Sequence, residues 1–261
     1  MFPTILKIGQ YSLPTYGLLV AAAFLVALWM TSRFAAARGI SQEKIVNLGV
    51  YCALMGMLGA KVLMIVMDPE LRSHPGEIFS MATLQSAGIF YGGFIAAFVF
   101  ALVYMSRQGL PLLATSDMFA PGLAIGHGIG RLGCFAAGCC WGKPTTLPWA
   151  VTFTNKNVTT GVPLDIPLHP TQLYEALAEA IICLILVRRL KSPHRDGHVI
   201  GLYLMLYGVV RLLVEFVRVH DASNPFGGPL VLEQWISLAL ALAGVVLLMK
   251  APRRSSDPLP A

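Results

Sequence analysis

Seven long apolar runs restrict the fold of this chain more than any other feature of its sequence. Their approximate bounds are 14–35, 45–67, 88–106, 115–133, 172–190, 198–217 and 231–249. Each run has about the 20 residues that a helix needs to cross a hydrocarbon core roughly 30 Å thick. The runs lack the two-residue alternation that is typical of a membrane β-barrel. The sequence therefore predicts an all-α polytopic membrane protein, a bundle of about seven transmembrane helices.

Composition favours a membrane protein over a soluble one, because 56% of the 261 residues are hydrophobic and only 12% are charged. The net charge of +6 is compatible with nucleic-acid binding, but the basic residues cluster in short segments between the apolar runs. That distribution is typical of membrane topology, so we expect no nucleic-acid partner. The first run lacks the features of a cleaved signal peptide, and we expect it to stay in the mature chain.

The distribution of Lys and Arg predicts the orientation of the chain. Eleven of these residues follow runs one, three, five and seven, and five lie on the opposite side. Since positive charge marks the cytoplasmic side, we expect the N-terminus outside and the C-terminus inside. We expect one membrane domain over residues 1–250, with an outer segment at about 134–171 and a short cytoplasmic tail at 251–261. Within the outer segment, residues 151–160 favour a short β-hairpin.

Three cations, Lys61, Arg131 and Arg211, fall inside the apolar runs. Each costs at least about 2.5 to 3.5 kcal/mol at mid-membrane, so each requires a partner or a function. Polar side chains recur at steps of three or four residues in runs five and six: Gln172, Glu175, Glu179 and Cys183, then Tyr203, Tyr207, Arg211, Glu215 and Arg218. These stripes predict a polar central cavity. The alternative is a structural salt-bridge network that pairs Arg211 with Glu215 and Lys61 with Glu175 or Glu179.

The fourth run combines a charge with small residues. On a helix, His127, Arg131 and Cys134 would share one face. Three glycines also recur at a step of four residues, which predicts the close approach of a neighbouring helix: Gly122, Gly126 and Gly130. Arginine suits a phosphate because its planar fork binds two oxygens and stays charged when partly buried. Two arginines beneath one membrane face would therefore suit a phospholipid headgroup.

Three of the five cysteines, Cys134, Cys139 and Cys140, lie near the end of the fourth run. They are open to several interpretations: a disulfide between Cys134 and one of the pair, a catalytic thiol, a metal site with His127, or unreactive packing. The spacing is not a familiar zinc pattern and no fourth ligand is evident, so we expect neither a metal nor a cofactor. Cys52 and Cys183 are expected to be buried as small hydrophobic residues.

Several segments resemble the prolipoprotein diacylglyceryl transferase family. GRLGCFAAGCCWGK at 130–143 is similar to the family's signature loop, LHPTQLYEA at 168–176 to its H-P-[ST]-Q-L-Y-E segment, and RLLVEFVRVHDA at 211–222 to its R-x-x-x-E-F-x-R-x-x-D segment. PTYGLLVAAAF near the start and YGGFIAAF at 91–98 match the family's first and third spans. The resemblance covers nearly the whole chain in order, and the second and third segments together are specific.

The resemblance implies an enzyme of the bacterial cytoplasmic membrane that acts early in lipoprotein maturation. Such an enzyme takes phosphatidylglycerol from the membrane lipids and transfers its diacylglyceryl group to the lipobox cysteine of a prolipoprotein, releasing glycerol phosphate. It implies that Arg131 holds the lipid phosphate and that Arg211 stabilises the leaving group, with Tyr91 as a third catalytic position. The remaining headgroup-binding positions that it implies are Tyr16, Gly130, Gly133, His169 and Glu215.

This sequence departs from the family pattern at several of these positions. Tyr91 stands where the family has a histidine, and a phenol is a poorer base than an imidazole at neutral pH. Cys134 and Ala137 replace the signature asparagines, and Cys139 replaces the signature glutamate. The alternatives are therefore a lipid-binding or transport relative with altered or no catalysis, and a thiol-dependent membrane enzyme that uses Cys139 and Cys140.

Two of the implied headgroup positions also have purely structural interpretations. His169 precedes Pro170 at a helix start, so it is also a candidate helix cap. Tyr16 lies near the outer mouth of the first span, where an aromatic side chain often serves as an interfacial anchor.

Overall fold

The computed structural model describes residues 3–8, 11–80, 83, 88–156, 158, 160–219, 228–250 and 255–256. Seven long helices lie within these residues: α1 Thr15–Ala37, α2 Gln42–Met67, α3 Phe90–Arg107, α4 Leu112–Ala137, α5 Thr171–Lys191, α6 His198–Glu215 and α7 Leu232–Lys250. Each one coincides with an apolar run of the sequence. Residues 220–222 of the third family-like segment and most of the predicted tail lie outside the described residues.

Five of these helices, α1, α2, α3, α6 and α7, are long and apolar enough to cross a membrane. The prediction of an all-α polytopic membrane protein is therefore confirmed. The helices α4 and α5 are not among these five, and both carry buried carboxylates: Asp117 on α4, and Glu175 and Glu179 on α5. The count of seven crossings stays a prediction for that reason.

The ends of the long helices follow from local hydrogen bonding. Ser41 caps the N-terminus of α2, where its side-chain oxygen accepts a hydrogen bond from the backbone N–H of Lys44 at 3.4 Å. The start of α6 is held by a more distant residue. The carboxylate of Asp117 on α4 accepts hydrogen bonds at 2.8 Å from the backbone N–H groups of Gly197 and Ile200. This buried carboxylate therefore ties the N-terminus of α6 to α4.

Short elements connect the helices. A five-residue helix, Pro69–Ser73, and a 3-10 helix, Pro75–Phe79, follow α2. Three antiparallel strand pairs complete the described secondary structure: β1 Thr4–Ile8 with β2 Tyr11–Pro14, β3 Val151–Thr152 with β4 Pro167–Leu168, and β5 His194–Arg195 with β6 Ser255–Ser256.

The prediction of a hairpin over residues 151–160 is wrong, because β3 pairs with β4 further along the chain. The reason is hydrophobic burial. Phe153, Val162 and Leu168 are each buried and form one small cluster, against which Phe135 and Trp141 pack. Pairing with β4 brings Leu168 onto this cluster, and the resulting compact segment joins α4 to α5.

The chain forms two compact units, one of residues 1–38 and 116–261 and the other of residues 39–115. In the smaller unit, α2 and α3 meet through glycines. A Cβ added to Gly59 would lie 2.5 Å from the backbone oxygen of Gly92, so the two helices approach more closely than larger side chains would allow. Within the same unit, the Lys61 ammonium donates a hydrogen bond to the backbone carbonyl of Thr83.

In the larger unit, α4 packs against both α1 and α5. A Cβ added to Gly122 would lie 2.5 Å from the Thr31 hydroxyl, and one added to Gly126 would lie 3.2 Å from the Cβ of Ala27. The predicted close approach is therefore confirmed at these two glycines. It is wrong for Gly130, beside which no described atom lies within 4 Å. The contact passes instead to Gly133, where an added Cβ would lie 3.2 Å from the Tyr16 ring.

A hydrophobic core joins α4, α5 and α6 in the larger unit. Its buried members are Ala120, Ala124, Ile182, Cys183, Leu186, Leu190, Val199 and Tyr203. Cys183 is thus a small buried hydrophobic residue, as expected. These side chains hold the three helices next to one another. The polar stripes of α5 and α6 therefore lie close to the face of α4 that carries Arg131.

Candidate active site

One buried carboxylate, that of Glu175 on α5, lies at the centre of the polar stripes. Its side chain is 3% exposed. One oxygen, Oε2, lies 2.7 Å from Nε of Arg131 on α4, and the other, Oε1, lies 3.9 Å from Nη1 of Arg211 on α6. A single buried anion therefore holds two arginines from two different helices.

The Arg131 contact is ionic rather than a well-aligned hydrogen bond. Although the atoms are 2.7 Å apart, neither Nε of Arg131 nor Oε2 of Glu175 has a hydrogen-bond partner among the described residues. Burying an N–H donor without a well-aligned acceptor costs folding free energy. Arg131 and Glu175 are therefore held together mainly by their opposite charges.

A second buried carboxylate, that of Glu215, orders the arginines of α6 and of the segment after it. It pairs with Arg211 one helical turn earlier and lies 4.0 Å from Nη1 of Arg218. The pairing of Arg211 with Glu215, which belongs to the alternative of a structural salt-bridge network, is present. These contacts follow from spacings of four and three residues, which bring side chains onto one helical face. Three guanidinium groups thus surround two buried carboxylates, those of Glu175 and Glu215.

His127 extends the network along α4. Its Nδ1 lies 2.9 Å from Oε1 of Glu179, and its Nε2 lies 3.9 Å from Oε2 of Glu175. The ring also contacts Tyr207 edge to face, with 5.3 Å between the ring centroids. His127 therefore links both glutamates of the α5 stripe to the aromatic stripe of α6.

The loop after α4 begins where glycine ends the helix. Gly138 has a φ of +72°, the left-handed conformation that glycine adopts most readily at a helix C-terminus. Cys140 has a φ of +62°, which is rare for a residue with a side chain. Two buried side chains at the start of α5 hold this loop: Gln172 donates to the carbonyl of Cys139 at 2.6 Å, and Thr171 donates to that of Cys140 at 2.7 Å.

Gly142 joins the loop to two other segments of the site. Its N–H donates to the carbonyl of His169 at 3.0 Å, and the N–H of Lys143 donates to the carbonyl of Val217 at 2.8 Å. A Cβ added to Gly142 would lie 2.6 Å from the Cβ of His169 and 2.8 Å from the backbone oxygen of Val217. All three family-like segments therefore meet at Gly142, and their backbones lie so close together that only glycine fits there.

His169 lies beside an aromatic pair rather than acting as a helix cap. Its Nδ1 is 3.2 Å from the hydroxyl oxygen of Tyr174, which accepts a hydrogen bond from the indole N–H of Trp149 at 2.8 Å. The residue that precedes α5 is Pro170, and no side chain caps that helix. The capping interpretation of His169 is therefore wrong, because its ring is occupied by Tyr174 one turn into the helix.

The three cysteines of the signature segment lie together as free thiols. The sulfur atoms of Cys134, Cys139 and Cys140 all lie within 4.8 Å of one another. The pKa of Cys140 is lowered because the thiols of Cys134 and Cys139 hydrogen-bond to its thiolate, and the pKa of Cys139 is raised by the same hydrogen bonding. The positive charges of Arg218 and Arg131 act in the same direction, lowering the pKa of Cys140.

The comparisons with known proteins agree with these segments. Residues 3–250 match the family model for prolipoprotein diacylglyceryl transferase. The chain is 32% identical over 245 residues to a phosphatidylglycerol–prolipoprotein diacylglyceryl transferase of Clostridium tetani, covering 94% of this chain and 96% of the relative. It is 34% identical over 263 residues to the enzymes of the same name from Bordetella avium and Methylobacillus flagellatus, covering 97% of this chain and 96% and 97% of those relatives.

The chain belongs to the prolipoprotein diacylglyceryl transferase family. In this transferase, Arg131, Arg211 and Glu215 lie in one network. Gly133 lies against Tyr16, and His169 lies at the Gly142 junction, within the same unit. None of the described residues fills the space beside Gly130. Tyr91 belongs to the other unit, where it is the second residue of α3 and 46% exposed.

The sequence-based assignment of site residues omitted Glu175, although the α5 stripe contained it. The signal was present, because a carboxylate inside an apolar run requires a partner of opposite charge. Gln172 and Thr171 were also not assigned to the site. Their contacts are with the backbone carbonyls of Cys139 and Cys140 in the loop after α4, here called the cysteine loop (residues 138–143), and no residue pattern in the sequence indicates such contacts.

Proposed function

We propose that this transferase moves the diacylglyceryl group of phosphatidylglycerol to the thiol of a lipobox cysteine in prolipoproteins, forming a thioether and releasing glycerol phosphate. The observation that carries the proposal is the placement of Arg131 and Arg211 on opposite oxygens of one buried carboxylate, Glu175. Both arginines stand at positions of the family motifs. The names of the relatives support the same reaction.

The two arginines have different tasks in the proposed reaction. Arg131 binds the phosphate of phosphatidylglycerol, since a planar guanidinium can bind two phosphate oxygens at once and Glu175 fixes its position in the network. The acceptor thiolate attacks the terminal glyceryl carbon, the carbon–oxygen bond to the phosphate breaks, and its electron pair stays on the phosphate oxygen. Arg211 stabilises the charge that develops on this leaving group, an interaction that strengthens toward the transition state.

The remaining positions support these two arginines. Glu215 orients Arg211 through their ion pair, and the open space beside Gly130 receives part of the headgroup. Tyr16 and His169 bind the headgroup from α1 and from the start of α5, with Gly133 leaving room for the Tyr16 ring. The family resemblance also implies a catalytic position at Tyr91, whose phenol is a poorer base than an imidazole at neutral pH.

The proposed location is the cytoplasmic membrane of a bacterium, with the N-terminus outside and the C-terminus inside. This orientation is supported by the excess of Lys and Arg in alternate loops. It places the cysteine loop and the Gly142 junction near the outer face, where the lipobox of a translocated precursor arrives. Phosphatidylglycerol reaches the same site laterally from the surrounding membrane lipids.

The test is an assay of the purified protein with phosphatidylglycerol vesicles and a lipobox peptide. We expect a mass increase of the peptide equal to one diacylglyceryl group, together with the release of glycerol phosphate. Arg131→Ala and Arg211→Ala should each abolish both signals, whereas Arg107→Ala at the exposed end of α3 should retain them. Full turnover by either site variant would overturn the role assigned to that arginine.

A second candidate function is lipid binding without turnover. It is favoured by the replacement of the family's histidine and glutamate by Tyr91 and Cys139. In the same assay, this alternative predicts Arg131-dependent binding of phosphatidylglycerol with no change in peptide mass. A thiol-dependent enzyme would instead lose its activity in Cys139→Ser and Cys140→Ser but not in Arg131→Ala.

A further inference from the structure

The cysteine cluster of Cys134, Cys139 and Cys140 has the dimensions of a metal site. Their sulfur atoms lie within 4.8 Å of one another. A zinc ion holds thiolates at about 2.3 Å, which puts two sulfurs of a tetrahedral site about 3.8 Å apart. Small side-chain rotations would therefore bring the three thiols around one ion. Within the described part of the chain, no His, Asp or Glu joins this cluster as a fourth ligand.

The loop that carries the cluster is held in place before any ligand arrives. The N–H of Cys139 donates to the carbonyl of Cys134 at 3.0 Å. The buried side chains of Gln172 and Thr171 bond the carbonyls of Cys139 and Cys140. Cys140 keeps a left-handed backbone conformation that places its thiol beside the other two. Such fixed backbone contacts orient ligands as outer-shell partners do in known metal sites.

The surrounding charge fits a thiolate-bound divalent ion. Three thiolates and Zn²⁺ together carry one negative charge. Arg131 lies one helical turn before Cys134, and Arg218 is bridged through its backbone to Gly142, two residues after Cys140. Both guanidinium groups act electrostatically on Cys140. The complex would therefore be neutralised by arginines that are already in place.

The accessibility of the thiols distinguishes a catalytic site from a structural one. All three cysteines are half-buried rather than enclosed. Structural zinc sites have four protein ligands, whereas catalytic sites have three and leave one position open. Thiolate ligands also favour zinc over harder ions such as Mg²⁺. Three accessible thiols without a described fourth protein ligand match the catalytic arrangement.

We propose that Cys134, Cys139 and Cys140 bind one zinc ion, whose open position takes the thiol of the lipobox cysteine. This inference rests on the proposed transfer reaction. Coordination to zinc deprotonates a thiol, and the proton leaves to water. The bound thiolate then attacks the glyceryl carbon, and the breaking carbon–oxygen bond leaves its electron pair on the phosphate that the arginines hold. Zinc is unchanged, and it supplies the activation that Tyr91 does not.

The first experiment measures metal binding by the full-length protein in detergent. Metal-free protein is titrated with Co²⁺, whose charge-transfer absorption reports thiolate ligands, and the bound zinc is counted after exchange. We expect one equivalent per chain, lost in Cys139→Ser and in Cys140→Ser. The matched control is Cys52→Ser on α2, which lies in the other unit and should keep the full equivalent. Gln172→Ala should weaken binding by about 10- to 100-fold.

The second experiment tests the open position. Addition of a lipobox peptide to the Co²⁺-loaded protein should change the absorption, whereas the same peptide with serine in place of cysteine should not. An identical response to the two peptides would overturn the coordination of the acceptor. Thiols that titrate freely but bind no metal would overturn the site itself. An intact mass lower by two hydrogens, with a cross-linked cysteine peptide, would replace it with a disulfide.

The two proposals fail differently. If the metal-free protein transfers the diacylglyceryl group at the full rate, the transfer reaction stands and the zinc inference is overturned. If the protein never modifies a peptide but still gives the cysteine-dependent spectral change, the transfer is overturned and the metal site stands. We expect removal of the metal to abolish the transfer of the diacylglyceryl group and the thiol-dependent binding of the lipobox peptide. Addition of Zn²⁺ should restore both.

Discussion

Arg131 and Glu175 face each other between α4 and α5, with 2.7 Å from Nε to Oε2. Both side chains are largely buried, at 13% and 3% exposure. The same carboxylate faces Arg211 with its other oxygen at 3.9 Å. Glu175 is therefore the residue on which the relative position of the two arginines depends.

Replacement of Glu175 by glutamine should separate these arginines. The amide keeps the shape of the side chain but removes the charge, and breaking a buried ion pair by losing one partner costs about 3 to 5 kcal/mol. We expect a lower melting temperature in detergent and loss of transfer activity. Glu77→Gln, at an exposed position of the 3-10 helix, serves as the control. A Glu175→Gln protein with normal activity would show that Arg131 and Arg211 do not depend on this carboxylate.

Gly142→Ala should disrupt the junction of the three family-like segments. The added Cβ would meet backbone oxygens of His169 and Val217 at 2.7 and 2.8 Å, and backbone cannot move aside as a flexible side chain can. We expect a loss of about 1 to 3 kcal/mol in unfolding free energy, as for other overpacked sites, together with reduced transfer. Gly76→Ala is the control, since no described atom lies within 4 Å of its added Cβ. Equal melting temperatures of the two variants would contradict this interpretation.

Asp117→Ala should reduce stability while sparing the chemistry. The carboxylate accepts two hydrogen bonds at the N-terminus of α6, from the backbone N–H groups of Gly197 and Ile200. Arg211 lies near the opposite end of the same helix. Loss of a helix N-cap costs about 0.5 to 2 kcal/mol. We expect a lower melting temperature with unchanged transfer per folded protein. Asp117→Asn retains one acceptor oxygen, so its melting temperature should lie between those of the wild type and Asp117→Ala. A selective loss of activity at full stability would contradict the capping role.

Acid should destabilise the larger unit through His194, which lies between α5 and α6. Its pKa is lowered from the ordinary value by burial, and the nearby Arg38 charge acts in the same direction. Nδ1 donates to the carbonyl of Ser192 at 2.7 Å, and Nε2 accepts from Arg38 at 2.9 Å, so the neutral ring is the form that fits.

The sign follows from the lowered pKa. The unfolded chain binds the proton more readily, so this contribution to stability is complete above the ordinary histidine pKa of about 6.5 and is lost as the pH falls below it. We expect the melting temperature of the wild type to drop over this range. His194→Gln cannot take up the proton and should show a flatter profile. Parallel profiles for the two proteins would rule out His194 as the group responsible.

The membrane class and the positions of the helices can be predicted from the amino-acid sequence without a structure. Every long helix coincides with an apolar run, because helix length and hydrophobicity are properties of a continuous stretch of chain. The pairing of Arg211 with Glu215 was also predictable, since a spacing of four residues brings side chains together within one helix. The family motifs in the sequence contain both arginines, Arg131 and Arg211.

The contacts between residues of different helices come from the packing of the fold. In the fold, Arg131 pairs with Glu175. The close contact between α4 and α1 includes Gly133, which lies against Tyr16, and does not include Gly130. The fold also brings Cys134, Cys139 and Cys140 within 4.8 Å, although their spacing indicated no metal site. Such contacts depend on helix rotation and on loop hydrogen bonds such as that of Gln172, which are set by packing between distant parts of the chain and leave no periodic pattern in the sequence.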